Sequence, residues 1–383
     1  MSPVVQVGNL SPAPVTAEAA LSYSAVLACV RVIAESVASL PLILYRRRSD
    51  GGKERAADHR LYRLLHDAPN DFMSSFAWRE TMMLHLLLWG NAYSQIVRDD
   101  VGRVISLWPL DARRMEVVAA NGGIFYRYRD ARGSLRDLPR EQVLHVAWMS
   151  ADGIRGISPL SLAREAISLG LTLAEYGSQV FRNGARPGGV LKHPGSLSEQ
   201  AYQRLKQSFE EQYSGVANAG RTIILEEGMT WERISFPPED AQFLQTRKFQ
   251  ITEIARIYRV PLHMINEMER ATWGNVEHMA LEFVQHTLRP WLVRWEQAIN
   301  QQLLSTDERD QLFVEFLIDG LLRGDIESRY RAYAIGRQWG WFSINDIRAK
   351  ENMNPVAGGD DYLSPLNMQV IGDENVGEAE LSS

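Results

Sequence analysis

The sequence predicts an α+β fold that is predominantly helical. Three observations carry this reading. Long stretches at 159–183 and 240–304 repeat apolar residues at helical spacing. Residues 42–148 hold short strand-like segments divided by turn signals at 99–102 and 121–122. No strand–helix–strand repeat links those segments, so they pair antiparallel rather than in a doubly wound sheet.

Residues 1–16 read as a flexible arm containing Pro and Ser. Thr16 can cap a helix with Glu18 in its first turn. That helix is expected to run to about residue 40, with Leu21, Ala25, Ala28, Val32 and Leu40 on one face, and Pro41 ends it. A strand at 42–47 and a turn at 49–52 follow, then a short helix at 58–66. Ser74 or Ser75 caps the next helix, which Gly90-Asn91 stops near Trp89. Strands are expected at 92–98, 104–108, 115–118, 124–129 and 143–148.

Asp152-Gly153 and Gly156 mark a joint. Ser158-Pro159 places a cap before a proline at the first helical position and opens a helix to Asn183. Gly170 and Gly177 lie inside it, each costing about 1 kcal/mol relative to alanine. They point either to close approach of a neighbouring backbone or to plain tolerance. A loop at 184–189, a helix at 198–213 and strands at 222–225 and 230–234 come next, closed by Pro237-Pro238. Beyond the helix at 240–260, Val260-Pro261 is a sharp stop, and the following helical run carries Pro290 in its middle. The pattern breaks at 305–310. A strand at 313–318 and helices at 326–339 and 343–351, the last capped by Ser343, complete the chain. No Lys or Arg follows Lys350, and the acidic end beyond residue 366 is expected to be disordered.

The chain has 383 residues and a formal net charge of −6, which excludes a protein that grips DNA over its whole surface. The single cysteine, Cys29, excludes an internal disulfide framework. No signal peptide or membrane span is expected; Arg31 and Glu35 interrupt the most apolar early run. No GxxxxGK[ST], HExxH, CxxC or GxSxG motif occurs. His278, Glu282 and His286 share one helical face at metal-ligand spacing, but a polar face is the stronger reading, and no metal is assigned. Asp319 and Asp325 are read as turn and cap residues, and Arg46, Arg47 and Arg48 as a solvated strand end. Trp273, Trp291, Trp295, Trp339 and Trp341 are read as core or subunit packing rather than a base-stacking platform.

Several runs resemble one family in order. They are SAVLACVRVIAESVASLPLILYRR (24–47), DHRLYRLLHDAPN (58–70), LLLWGNAYSQIVRD (86–99) and NGARPGGVLKHPG (183–195). EDAQFLQTRKFQITEIARIYRVPLHMI, TLRPWLVRWEQAIN, DGLLRGDIESRYRAYAIGRQWGWFSINDIR and GGDDYLSPLNM continue the set. Together they span about residues 17–368. The chain resembles the portal proteins, or head–tail connectors, of long-tailed phages, and those of gene transfer agents equally. Trp273-Gly274 and the short acidic tail depart from the usual pattern.

The resemblance implies a portal fold with wing, stem, clip and crown regions, assembled as a ring of about twelve copies at one capsid vertex. The implied division is an arm at 1–16, wing at 17–156, stem helix at 157–183, clip at 184–264, stem or channel helix at 265–289, wing return at 290–319, helical crown at 320–365 and tail at 366–383. The implied function is a non-enzymatic channel for DNA packaging and ejection. Implied partners are double-stranded DNA in transit, the terminase large subunit, a head–tail adaptor and the major capsid protein. Assembly would occur in the bacterial cytoplasm, with residence in the virion and no cofactor. Channel-lining candidates are Arg270, Glu277, Glu282, Gln285, His286, Arg289 and Arg294. Clip candidates facing terminase or adaptor are Arg186, Lys192, Arg204, Lys206, Glu210 and Glu211. The acidic balance suggests a lumen that repels phosphates, with Arg270, Arg289 and Arg294 as alternative discrete basic rings. The rival readings are a metal-dependent nuclease using His278, Glu282 and His286, and a monomeric virion adaptor or scaffold protein.

Overall fold

The computed structural model describes residues 15–49, 51–120, 123–182, 189–213, 228–233, 239–266, 279, 281–318, 326–351 and 353–363. The chain divides into two units, Met1–Leu317 and Ile318–Ser383.

Two amphipathic helices, Ser24–Ser39 and Ser75–Trp89, pack on one another in the first unit. Val26, Ile33 and Val37 of one and Met82, Leu86 and Leu87 of the other are fully buried. Ser74 caps the second helix through its hydroxyl, and Gly90 ends it in the left-handed region at φ 73°. Arg79 is also buried in this core, and among the described residues no carboxylate is bonded to it. Its guanidinium donates to the Ala38 carbonyl at 2.8 Å and to the Leu65 carbonyl at 2.9 Å. Those carbonyls lie at the C-terminal ends of helices Ser24–Ser39 and Arg60–His66, so one cation closes two helix ends. Burial pulls the Arg79 pKa down to about 10, which still leaves it charged at neutral pH.

Three antiparallel sheets flank the helices. In the first, Leu42–Arg47 lies between Leu312–Phe316 and Lys53–Arg55, with Leu42 opposite Phe316. Helix Arg289–Gln302 covers the outer edge of Leu312–Phe316. Asn300 Oδ1 accepts from the Val314 N–H at 2.8 Å, and Glu296 Oε1 accepts from the Phe316 N–H at 2.9 Å. The second sheet sets Asn91–Arg98 between Val104–Leu110 and Val143–Ala147. The third orders Met115–Ala120, Gly123–Arg129 and Leu135–Pro139. Tyr93, Leu110, Val117, Tyr126 and Val143 form a satellite core between the second and third.

The joint at 150–157 folds back onto Gly90-Asn91. The two backbones approach so closely that a Cβ on Gly156 would lie 1.9 Å from the Gly90 carbonyl oxygen. Asn91 Oδ1 accepts from the Gly156 N–H at 2.8 Å and from His145 Nε2 at 3.0 Å. Since that oxygen only accepts, Nε2 carries the His145 proton and Nδ1 accepts from the Tyr126 hydroxyl at 3.3 Å. Burial pushes the imidazole pKa down to about 4.

Several expectations need correction. The helix from Thr16 has its predicted cap but breaks at Tyr23, whose backbone is extended at ψ 115°. The helix after Ser158 is two pieces, Pro159–Leu162 and Arg164–Arg182, divided at Ala163. Gly170 and Gly177 make room for side chains rather than backbone. A Cβ would lie 2.6 Å from the Tyr23 ring at Gly170 and 3.0 Å from the Phe243 ring at Gly177. Strands Lys53–Arg55 and Leu135–Pro139 went unpredicted because neither buries a face, so no apolar alternation marks them. Gly189–Lys192, expected partly as loop, pairs with Thr230–Arg233; the strand expected at 222–225 lies outside the described residues. Thr306–Gln311 is a helix where a break was expected, opened by a Ser305–Glu308 capping box.

In the second unit, helices Ile326–Gln338 and Ile344–Lys350 are joined through Gly340 at φ 74°. Ser343 and Asp346 form a capping box, and Tyr333 and Arg329 both donate to Glu351. Asn345 accepts from the Val356 N–H at 2.8 Å and donates to the Val356 carbonyl at 3.0 Å.

Candidate functional site

The candidate channel residues depend on how the chain manages two prolines. Helix Glu239–Tyr258 ends on Arg259, a non-glycine residue at φ 57°, followed by Val260-Pro261. The Val260 N–H bonds back to the Ala255 carbonyl at 2.9 Å, which satisfies the helix end. Pro290 has no N–H, and its ring would strike the carbonyl four residues earlier in a regular helix. A π-helical turn, Phe283–Leu288, absorbs that conflict just before helix Arg289–Gln302. Across this turn the Arg289 N–H reaches the Val284 carbonyl, five residues back. Thr287 locks the two features together by donating its hydroxyl to the Arg259 carbonyl.

Phe283, Val284, Thr287, Leu288, Trp291 and Trp295 face inward and are buried. Trp295 meets Trp78 edge-on with centroids 5.3 Å apart. Its N–H points at the Met83 sulfur, 3.2 Å away. The outer face presents Gln285, Arg289, Val293 and Gln297 at four-residue intervals along a groove of about 530 Å³. Arg294 closes its side. Its guanidinium donates to the Pro290 carbonyl at 3.0 Å and lies 5.7 Å from the Trp291 ring centre. Burial, and then the neighbouring Arg259, push the Arg294 pKa below its usual value. A smaller cavity of about 160 Å³ on the adjoining face is lined by Trp148, Tyr258, Arg259, His286 and Arg294.

The structure therefore gathers Gln285, His286, Arg289 and Arg294 on successive turns, with exposed Glu282 one turn earlier. Arg270 and Glu277 lie outside the described residues. Among the described residues, Arg259, Arg289 and Arg294 outnumber the acids on these turns, so the chain's net charge is not mirrored there. Glu296, the nearest acid on the helix, is half-buried and occupied by the Phe316 N–H, and burial raises its pKa. Of the metal-ligand set, Glu282 and His286 are exposed and His278 lies outside the described residues. Among the described residues no group of three His, Cys, Asp or Glu side chains is placed to hold a metal ion.

The clip candidates sit on a separate excursion. Helices Arg164–Arg182 and Glu239–Tyr258 run antiparallel: Gly177 near the end of the first meets Phe243 near the start of the second. Residues 183–238 lie between them in the sequence. Helix Glu239–Tyr258, which the implied division groups with 184–264, packs against helices Ser24–Ser39 and Arg164–Arg182. Tyr258 is buried and donates to the Leu87 carbonyl at 3.2 Å. Lys192 pairs with Glu232 at 2.5 Å across the strands Gly189–Lys192 and Thr230–Arg233. Arg204 and Lys206 are exposed on helix Glu199–Tyr213, about 200° apart around its axis. Glu210 and Glu211 fall in the same helix, and Arg186 lies outside the described residues.

Of the tryptophans, Trp291 and Trp295 are core and Trp339 and Trp341 are exposed, while Trp273 lies outside the described residues. Sequence reasoning missed Arg259, whose left-handed backbone no residue type announces. It also missed the Asn91–His145 pair, though Asn after Gly90 at a helix stop was a usable signal. No helix among the described residues is long and apolar enough to cross a membrane.

The family model for phage portal proteins matches residues 24–352. The chain is 38% identical over 378 residues to the probable portal protein of Streptomyces phage phiC31, covering 94% of this chain and 81% of that one. It is 33% identical over 363 residues to the portal protein of Enterobacteria phage HK97, covering 94% and 85%. Its fold matches a chain in the neck of a native gene transfer agent particle, computed with C12 symmetry, at TM-score 0.61 and 25% identity, covering 88% of this chain and 92% of that one. With the family model spanning most of its length and two relatives matched nearly end to end, this chain belongs to the phage portal protein family.

Proposed function

We propose that this chain is one wall segment of a portal ring at a capsid vertex, through which double-stranded DNA enters and leaves. The observation that carries this is the match along 88% of the chain to a neck component solved with C12 symmetry. A ring of about twelve copies follows by analogy. Residues 17–156 and 290–319 would form its wing, 320–365 its crown and 366–383 an acidic tail. The antiparallel helices Arg164–Arg182 and Glu239–Tyr258 are the better candidates for a stem, because the excursion between them then forms the clip. Helix Glu199–Tyr213 suits that role: none of its described residues is buried, and a helix so exposed gains stability from a partner. Terminase large subunit during filling, and a head–tail adaptor afterwards, would dock there through Lys192, Arg204 and Lys206, with Arg186, Glu210 and Glu211 as further candidates. The major capsid protein would surround the ring. Gln285, His286, Arg289 and Arg294, with Glu282, Arg270 and Glu277, would stand toward the channel, where separate basic rings could touch the phosphate backbone in passing. The ring would assemble in the bacterial cytoplasm and act in the virion, in a structural rather than catalytic role, with motive power supplied by the terminase.

Negative-stain microscopy of the purified chain tests this reading. Rings with a central hole are expected. A monomer at assembly concentrations would overturn it, as would cleavage of plasmid DNA in Mg²⁺ by the purified protein.

A further inference from the structure

We propose that the cavity between the end of helix Glu239–Tyr258 and the start of helix Arg289–Gln302 is a binding site for a phosphate group. Arg259, His286 and Arg294 line it, and among the described residues no acid does. Its volume is about 160 Å³, which admits one phosphate group with a few waters and excludes a nucleotide pair. The rest of the wall is largely apolar: Leu87, Pro159 and the indoles of Trp148 and Trp291, which stack at 6.2 Å.

Two guanidiniums share this space without a counter-charge. Like charges held beside apolar walls repel one another and lose hydration, so the arrangement costs free energy until an anion enters. Burial, and then Arg259, already push the Arg294 pKa below its usual value. Both residues are held in place by bonds that leave donors over. Arg294 gives one N–H to the Pro290 carbonyl at 3.0 Å and rests against the Trp291 ring. Arg259 stands at φ 57°, its carbonyl fixed by the Thr287 hydroxyl. The Tyr258 hydroxyl is engaged by the Leu87 carbonyl at 3.2 Å. What remains to meet a ligand is the two guanidiniums and the imidazole. One arginine fork satisfies a carboxylate, whereas donors from three separate residues suit the oxygens of a phosphate. Inorganic phosphate and a nucleic-acid backbone share that chemistry. The site lies within one copy of the chain, so it goes beyond the ring reading and does not depend on it.

Calorimetry of the full chain at fixed ionic strength tests this, with inorganic phosphate in one arm and a short DNA duplex in the other. The expected result is uptake of one phosphate per chain, weakened about tenfold by Arg259→Asn and by Arg294→Gln. Asparagine tolerates the left-handed backbone, and Arg259→Lys, which keeps the charge, should retain most of the binding. Arg132→Gln, just before strand Leu135–Pro139 and no part of the cavity wall, should change nothing. Duplex binding that falls in the same two variants, without uptake of free phosphate, would sustain the site and make the nucleic-acid backbone its source. No binding in either arm would overturn the proposal. So would an equal loss in Arg132→Gln, or acetate displacing phosphate at equal concentration. As a second measurement, phosphate should raise the denaturation midpoint of the parent and not that of Arg259→Asn. In phosphate-free buffer the two midpoints should agree, which separates lost affinity from lost folding. An equal rise with phosphate in both chains would count against the site.

Discussion

Helices Ser75–Trp89 and Glu199–Tyr213 have the same length and opposite circumstances. The first buries eight residues, including Trp78, Met82, Leu86 and Leu87, and ends in a defined cap at each terminus. The second buries none among its described residues, and Tyr202 is half exposed. One helix is held by its own chain. The other shows no buried residue among those described. The contrast separates two kinds of residue in this molecule: those that decide whether the chain folds, and those that decide what it meets.

The largest effects belong to the first kind. Trp295→Ala should cost about 3–5 kcal/mol of unfolding free energy, because a fully buried indole against Trp78 and Phe316 leaves a void the sheet cannot close. Chemical denaturation read by far-UV circular dichroism checks it, and a loss below about 1 kcal/mol would mean the core repacks. Arg79→Met should come next, at about 3 kcal/mol. Methionine keeps much of the volume but strands the carbonyls of Ala38 and Leu65 without a donor. If Arg79→Met proves neutral, the double helix-end closure is not a stabilising feature.

These two residues also show what the chain discloses by its letters alone. Trp295 lies in a run with apolar helical spacing, so its burial follows from periodicity. Arg79 occupies a similar phase in its helix, yet nothing local says that two other helices end beside it. The caps at Thr16, Ser74, Ser158 and Ser343 were legible because their chemistry is contained within three residues. The pairing of Gly189–Lys192 with Thr230–Arg233 was not, since about forty residues separate the strands and both are short. The same division applies to the candidate site. Gln285 and Arg289 share a face by their four-residue spacing, whereas the placement of Arg294, the π turn beside Pro290 and the left-handed Arg259 depend on tertiary fit.

A smaller effect should appear with acid. His145 is held neutral in the fold at a pKa of about 4, while an unfolded histidine titrates near its ordinary value of 6.5. Below pH 6.5 the unfolded chain takes up a proton that the folded chain refuses. Stability should therefore fall between about pH 6.5 and 4 and level off below, by about 3 kcal/mol from this group. His145→Gln should remove that component of the slope. Parallel slopes for variant and parent, in denaturation midpoints taken across this range, would show that the imidazole does not titrate against folding.

The smallest effect on folding should come from the exposed helix, and there the contrast between the two regions is sharpest. Arg204→Ala and Lys206→Ala should each leave the unfolding free energy within about 0.5 kcal/mol of the parent. Any larger effect is expected in binding, on the docking role proposed above. The two side chains project about 200° apart, so a flat partner can engage only one of them. If the terminase or adaptor docks on one face, one substitution should weaken binding by up to about fivefold and the other should not, the range expected for an exposed charge contact. Equal losses would mean that the partner wraps the helix, which would explain how a helix with so little burial of its own is held. No loss from either would move the docking surface elsewhere on the excursion, to the Lys192–Glu232 strand pair or beyond.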